Sequence, residues 1–300
     1  MSEAPDQTQT QTQAPAREPS SADALQLARL GEGAHRLSAS EFVESLELPA
    51  RARAIEQRPY VILNMISTVD GRASLDGRSG AIGDRADRVL FHALRIAVDG
   101  VIAGAGTVRA ERYGRIIPSE SARRLRVQRG LREEPLACVV SGRGSLPPEL
   151  PLLSEPDAHV VLLSQSPASL SGVAAQLDHV TAERDGQLDL PRALGELRKR
   201  FGVRTLLGEG GPHLNAELLR AGLVDELLLS LAPKLAGGDG NGGESLRILA
   251  GLELEPPIEL DLLSTLESDS YLFLRYGVAA PAPAPARVSR ETIAKSSLAS

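Results

Sequence analysis

The sequence predicts an α/β protein, a three-layer αβα domain around a mostly parallel sheet. Two observations carry this. Short strand candidates (Tyr60–Ile66, Val101–Ala103, Leu136–Val140, His159–Leu163, Val203–Leu207) are interleaved with helical segments, the order that builds parallel sheets. Their apolar residues come in short runs rather than in alternation, which fits strands covered on both faces.

The elements follow in chain order. Residues 1–35 are rich in Gln, Thr, Pro, Ala and Ser. Too few apolar groups are present to offset the entropy of ordering, so this stretch reads as a disordered tail. Residues 36–57 read as a lead-in with a short helix over Ser40–Ala54. The domain proper spans 58–277, and 278–300, which opens on alternating Ala and Pro, reads as a second disordered tail. Inside the domain, Asp84 can cap a helix that places Val89, Leu90, Ala93, Leu94 and Ala97 on one face. Residues 109–133 are polar and basic and have no clear element. Pro191–Phe201 starts with Pro in its first turn, as helices allow. Asp225–Leu231 reads as a strand, and Tyr271–Tyr276, with aromatics alternating with Leu and Arg, as a final edge or near-edge strand.

Composition excludes several classes. The net charge is −6 and aromatic residues make up 3 %, which disfavours nucleic-acid binding. The five arginines between Arg123 and Arg132 read as a solvated face. One cysteine, Cys138, rules out an intramolecular disulfide and a cysteine-rich zinc site, and its apolar run marks it as a small buried hydrophobe. The histidines lack metal-ligand spacing, so no metal is expected. No apolar run approaches the ~18 residues of a membrane span, and the N-terminus lacks a signal-peptide core; a cytoplasmic protein is the default expectation.

Three loops could carry chemistry, each at the end of an apolar run. Gly208-Glu-Gly-Gly-Pro-His-Leu-Asn215 puts adjacent glycines before a helix; the turn either lets a backbone approach an anion such as a pyrophosphate or is plain punctuation. Ala103-Gly-Ala-Gly-Thr107 has the same two readings. Two such loops in one α/β domain strengthen each other, because ligands collect beyond the carboxyl ends of the strands. In Ser141-Gly-Arg-Gly144, a hydroxyl and a guanidinium could meet the extra phosphate of a phosphorylated dinucleotide or fill an exposed turn.

Taken in order, these segments resemble the reductase domain of the bifunctional riboflavin deaminase-reductase, which has a dihydrofolate-reductase-like fold. The matching pieces are Tyr60-Val-Ile-Leu-Asn-Met with Thr68-Val-Asp-Gly71, Leu94-Arg95 followed by Gly104-Ala-Gly-Thr107, and Glu209-Gly-Gly-Pro212. Ala221-Gly-Leu-Val-Asp-Glu226 leading to Ala232-Pro-Lys-Leu-Ala-Gly-Gly-Asp239 is the clearest piece. The resemblance covers roughly 58–277 and implies a mostly parallel sheet with an antiparallel edge. The zinc deaminase signature is missing, so the chain resembles the stand-alone pyrimidine reductases, in which an Asn often stands where Asn64 does.

The resemblance implies NADPH as cofactor. Gly104, Gly106, Thr107 and the turn Gly210, Gly211, Pro212, His213, Leu214 would hold it, Ile66 would lie beside the nicotinamide, and Ser141, Gly142 and Arg143 would meet the adenosine phosphate. Ser79, Arg95, Glu111, Arg112 and Glu209 would face the substrate, with Glu209 as the available acid/base or water in its place. The family usually has Asp-Asp-Pro and then Leu-Thr-x-Arg after the glycine loop; here Glu111-Arg-Tyr-Gly-Arg115 stands instead, which puts two cations near the expected substrate mouth. The implied reaction reduces 5-amino-6-(5-phosphoribosylamino)uracil to the ribitylamino product. Reduction of dihydrofolate or another heterocycle, and nucleotide binding without turnover, are the rival readings. A homodimer is expected, built partly on a sheet edge formed by Leu227–Leu231 and Tyr271–Tyr276.

Overall fold

A computed structural model describes residues 26–30, 35–75, 77–142, 144–167, 170–238 and 246–279. The strands are β1 (Gln26–Arg29), β2 (Arg36–Ser38), β3 (Tyr60–Thr68), β4 (Gly100–Gly104), β5 (Leu136–Val140), β6 (His159–Ser164), β7 (Gln176–Thr181), β8 (Glu183–Arg184), β9 (Gln187–Leu188), β10 (Thr205–Gly208), β11 (Glu226–Ala232), β12 (Leu260–Ser268) and β13 (Tyr271–Val278). The helices are α1 (Ala39–Ser45), α2 (Leu48–Arg53), α3 (Arg85–Ala97), α4 (Ala105–Ala110), α5 (Glu120–Gln128), α6 (Leu190–Phe201) and α7 (Pro212–Arg220).

Among the described residues, eleven strands form one sheet in the order β2-β1-β12-β13-β11-β3-β10-β4-β5-β6-β7. From β11 to β7 every neighbouring pair is parallel. From β11 back to β2 every pair is antiparallel. The sheet is thus mostly parallel with an antiparallel flank. Its central strands send alternate residues into two cores. Ile62, Val101, Ala103, Val139 and Leu162 pack on one face with Phe42, Leu90, Leu94 and Val108. Val61, Leu63, Ile102, Cys138 and Val161 pack on the other with Leu194, Leu197, Leu214 and Leu218. Helices cover both faces, which is why the strands read as short apolar runs. Cys138 is a buried hydrophobe with its thiol pKa pushed up by burial.

Several expectations need correction. The N-terminal tail does not run unbroken to residue 35: Gln26–Arg29 pairs with β12 and β2, and Leu27 is fully buried. Residues 1–25 and 280–300, where the tails were placed, lie outside the described residues. The lead-in holds β2 and two helices rather than one. Ser38 and Glu41 form a capping box at the start of α1, and Glu47, at φ 52°, breaks the helix before α2. The stretch 109–133 contains α5, and Arg126 within it is wholly buried rather than solvated. Strand β13 is an interior strand, bonded to β11 on one side and β12 on the other. Leu227–Leu231 is interior too, between β13 and β3, so these two segments form no sheet edge for a dimer. No described helix is long and apolar enough to cross a membrane.

Candidate active site

A cleft of about 1300 Å³ opens where β3, β4, β5 and β10 reach their carboxyl ends. Every implied site residue that the structure describes lines it, from Ile66 and Ser79 to Leu214. Arg143 lies outside the described residues.

One wall is built from the two glycine loops. They follow β4 and β10, which are neighbours in the sheet, and they touch: the Gly104 N–H donates to the Gly210 carbonyl at 3.1 Å. Gly211 has φ 95°, and a Cβ there would stand 3.3 Å from both the N and the Cα of Gly104. Two backbones therefore run side by side because neither carries a side chain. Pro212 opens α7, whose first N–H groups have no partner within the helix. The His213 ring lies on Gly251, where a Cβ would run into it. Further along the cleft, the Ser141 hydroxyl is engaged in its own turn, donating to the Ser145 carbonyl at 3.1 Å and accepting from the Ser145 N–H at 3.2 Å.

Polar side chains line another part of the cleft. Arg95 meets Glu209 through two parallel hydrogen bonds, Nε to Oε1 and Nη2 to Oε2, both 2.7 Å. Arg95 Nη1 donates to the Ile116 carbonyl at 3.2 Å, and its guanidinium carbon lies 4.1 Å from the centroid of the Phe91 ring. The Tyr113 hydroxyl donates to Glu209 Oε2 at 2.8 Å. Burial, reinforced by the Glu209 charge, holds the Tyr113 pKa well above its ordinary value. Burial alone would lower the Arg95 pKa, yet Glu209 holds it raised. Both Glu209 oxygens are thus occupied by donors, and the Glu209 side chain is 1 % exposed. A carboxylate held this way orients a guanidinium and is poorly placed to deliver a proton. That geometry leaves Glu209 no free oxygen for the acid/base role expected of it.

Ser79 and Glu111 are also joined, the Ser79 N–H and O–H both donating to Glu111 Oε1 at 2.8 and 3.0 Å. Arg112 is exposed at the cleft mouth in a left-handed conformation, φ 50°. Arg115, the second expected cation, is neutralised by Asp157 at 2.8 Å, Glu155 at 3.2 Å and Glu134 at 3.6 Å. Arg109 is a second exposed arginine on the cleft.

Residues 59–262 match the family described as the RibD C-terminal domain. The chain belongs to this family. Several curated relatives carry a reductase name. The 2,5-diamino-6-ribosylamino-4(3H)-pyrimidinone 5′-phosphate reductase of Methanothermobacter thermautotrophicus is 30 % identical over 207 residues, 66 % of this chain and 92 % of that protein. The riboflavin biosynthesis protein RibD of Escherichia coli is 29 % identical over 65 % of this chain and 53 % of its own length. The solved pyrimidine reductase-like protein from Corynebacterium diphtheriae shares the fold with a TM-score of 0.63 at 23 % identity, covering 81 % of this chain and 99 % of that one. Membership of the RibD C-terminal domain family makes the chain a reductase of riboflavin-pathway type, an oxidoreductase.

The residue reading missed one face of α3. Asp87, Phe91 and Arg95 are spaced i, i+4, i+8 and all line the cleft. Only Arg95 was singled out from the sequence. An acid and an aromatic in register with a functional arginine, on the flank of an apolar stripe, is the signal that would have found the other two. Tyr113 was missed because its partner Glu209 lies far away in sequence.

Proposed function

We propose that this chain is an NADPH-dependent reductase that converts 5-amino-6-(5-phosphoribosylamino)uracil to its ribitylamino product. One observation carries the reading: a single cleft is lined by two touching glycine loops with bare backbone and, beside them, by the polar pairs Arg95–Glu209 and Ser79–Glu111. The glycine loops suit a dinucleotide. A pyrophosphate needs close backbone approach and free N–H groups at a helix start, and Gly104, Gly210, Gly211 and the first turn of α7 offer both. Gly106, Thr107, His213 and Leu214 would complete its seat, with Ile66 beside the nicotinamide. Ser141, Gly142 and Arg143 would lie on the adenosine-phosphate side.

When bound, the reduced nicotinamide supplies a hydride. The chain's own work is alignment. Arg95 is fixed by Glu209, the Ile116 carbonyl and the Phe91 ring, so it presents a rigid edge to the substrate. Ser79 and Glu111 hold each other on the same wall. Arg112 and Arg109 at the mouth favour an anionic substrate group, which fits a ribose phosphate. The reductase names of the curated relatives support a pyrimidine ribotide. A homodimer is part of the proposal, with the exposed leucines of β12, Leu260, Leu262 and Leu263, as the face to examine by light scattering.

The test is cofactor consumption by the full chain with the uracil ribotide, its 2,5-diamino pyrimidinone counterpart and dihydrofolate in parallel, each with NADPH and NADH. Turnover of the uracil ribotide with NADPH is expected. Preference for the diamino ribotide moves the substrate assignment by one step; turnover of dihydrofolate alone overturns it.

A further inference from the structure

Reduction of a ribosylamine consumes one hydride and one proton. The hydride goes to the ribosyl carbon that bears the exocyclic nitrogen. The bond from that carbon to the ring oxygen breaks, and the oxygen keeps the electron pair and needs a proton to leave as a hydroxyl. Some group in the cleft has to provide it.

The residues lining the cleft include four carboxyl side chains, Asp87, Glu111, Glu209 and Glu217. Glu209 is locked by Arg95 and Tyr113. Glu111 is held by Ser79. Glu217 is paired with Arg220 on the outer side of α7. Asp87 differs from Glu209 and Glu217 in having no cation within ion-pair distance among the described residues, and from Glu111 in that its carboxyl takes no backbone N–H among them; the Ser230 hydroxyl is the uncharged side chain that acts on it. Ser230 is 2 % exposed and is the register partner of Ile66 in the sheet. A Cβ on Gly83 would stand 2.5 Å from Asp87 Oδ2 and 3.5 Å from Ile66 Cδ1. The Asp87 carboxyl therefore rests on bare backbone, beside the residue assigned to the nicotinamide, one helical turn from Phe91 and two from Arg95.

We propose that Asp87 is the proton donor of this reductase, delivering its carboxyl proton to the ribose ring oxygen as the hydride reaches the adjacent carbon. Asp87 leaves the step as a carboxylate and is reprotonated from solvent through the open cleft. Its environment fits the task. Burial raises its pKa above the ordinary value, the Ser230 hydroxyl works against that, Asp84 adds to it and Arg88 opposes it. From the segment after β11, Lys234 is tied to the carbonyls of Ala81 and Ile82, and β3 presents only the uncharged Asn64, Met65 and Ile66 to the cleft. Asn64 has no titratable proton to give. The assignment rests on the reductase reading above.

The test uses the full chain and three variants, Asp87→Asn, Asp87→Ala and Ser230→Ala. Asp87→Asn is expected to lower kcat on the ribotide by about 100-fold or more, the scale of general-acid catalysis, with the Kd for reduced cofactor unchanged by fluorescence titration. The native kcat/KM should fall as pH rises through the Asp87 pKa, and this alkaline limb should vanish in Asp87→Asn. In Ser230→Ala the limb should move to higher pH, because a bond that favours the carboxylate is gone. Difference infrared spectra should show a protonated-carboxyl band that outlasts those of ordinary aspartates as pH rises and that Asp87→Asn lacks. Full activity in Asp87→Asn and Asp87→Ala, or an alkaline limb that survives in them, overturns the assignment while leaving the reductase reading intact. A native enzyme that turns over no pyrimidine ribotide overturns both.

Discussion

The guanidinium of Arg126 closes the end of the helix that carries Arg95: its Nη1 donates to the Arg95 carbonyl at 2.8 Å. The same nitrogen reaches the carbonyls of Ile96 at 3.0 Å and Val98 at 2.8 Å, while Nε donates to Arg132 at 2.9 Å. These are the carbonyls that a helix leaves without partners at its C-terminus. Burial lowers the Arg126 pKa to about 10, so the group stays charged at neutral pH. Arg126→Met should leave the carbonyls unpaired in the core and cost about 3 kcal/mol of stability. Urea denaturation measures it; a loss under about 1 kcal/mol would mean that water replaces the guanidinium.

The Arg95–Glu209 pair is a second stability prediction. Removing one member leaves the other charge buried, at about 3–5 kcal/mol. Arg95→Met and Glu209→Leu should each be strongly destabilising, while the two combined should recover part of the loss. A double-mutant cycle by chemical denaturation reads the coupling, and strictly additive losses would show that the two side chains act independently.

Gly211→Ala tests the glycine wall. The new methyl would meet Gly104 at 3.3 Å in a backbone region that disfavours side chains. The loops must separate, and the Kd for NADPH should rise about tenfold or more, roughly 1.4 kcal/mol. Unchanged NADPH binding would remove this wall from the cofactor seat.

Arg112 is expected to act at a distance. Arg112→Ala should raise KM for the phosphorylated substrate and flatten its dependence on ionic strength, because an exposed cation at the mouth works through a field that salt screens. A dephosphorylated analogue should show neither effect. Equal changes with both compounds would point to altered loop structure instead.

Asp70 gives a pH prediction. The Thr68 hydroxyl first, and then the Gly237 and Ala236 amides, hold its pKa down to about 2, against an ordinary 3.8. Its carboxylate ties the strand end at Thr68 to the segment after β11, accepting from the Gly237 N–H at 2.6 Å. A lowered carboxyl pKa means that the tie is whole above the ordinary value and is lost as pH falls through the lowered one. The Ala236 and Gly237 amide resonances should therefore shift between about pH 4 and pH 2, and Asp70→Asn should abolish that titration. A midpoint near 3.8 would show that the carboxylate gains nothing from its partners.

The parallel half of the fold was legible because its signals are local. Tyr60–Leu63 and Leu136–Val140 are unbroken apolar runs, and Asp84 does accept from the Asp87 N–H at the start of α3. The antiparallel flank was harder. Strand β12 mixes charged and exposed leucine positions and carries a register shift at Leu262/Ser264, so no period survives. Strand β1 is four residues in a polar stretch, and only its pairing with β12 makes it a strand. At the site, the glycine loops declared themselves by composition. Arg126 could not, because what makes it structural is a set of carbonyls some thirty residues upstream. Asp87 was hidden because a first-turn acid reads as a dipole partner for its helix.

The pairing of Gln26–Arg29 with β12 has a consequence for anyone shortening the chain. The family match begins at residue 59, and a protein cut there would look complete by homology. It would lose Leu27, Phe42, Val43 and Leu46, all buried in the core on the α3 face. It would also strip the backbone partners from Glu267 and Leu266. A newly bare strand beside exposed leucines is a template for recruiting other chains. The first described segment therefore shields this backbone edge from uncontrolled strand pairing, and a trimmed protein should precipitate where the full chain stays dispersed.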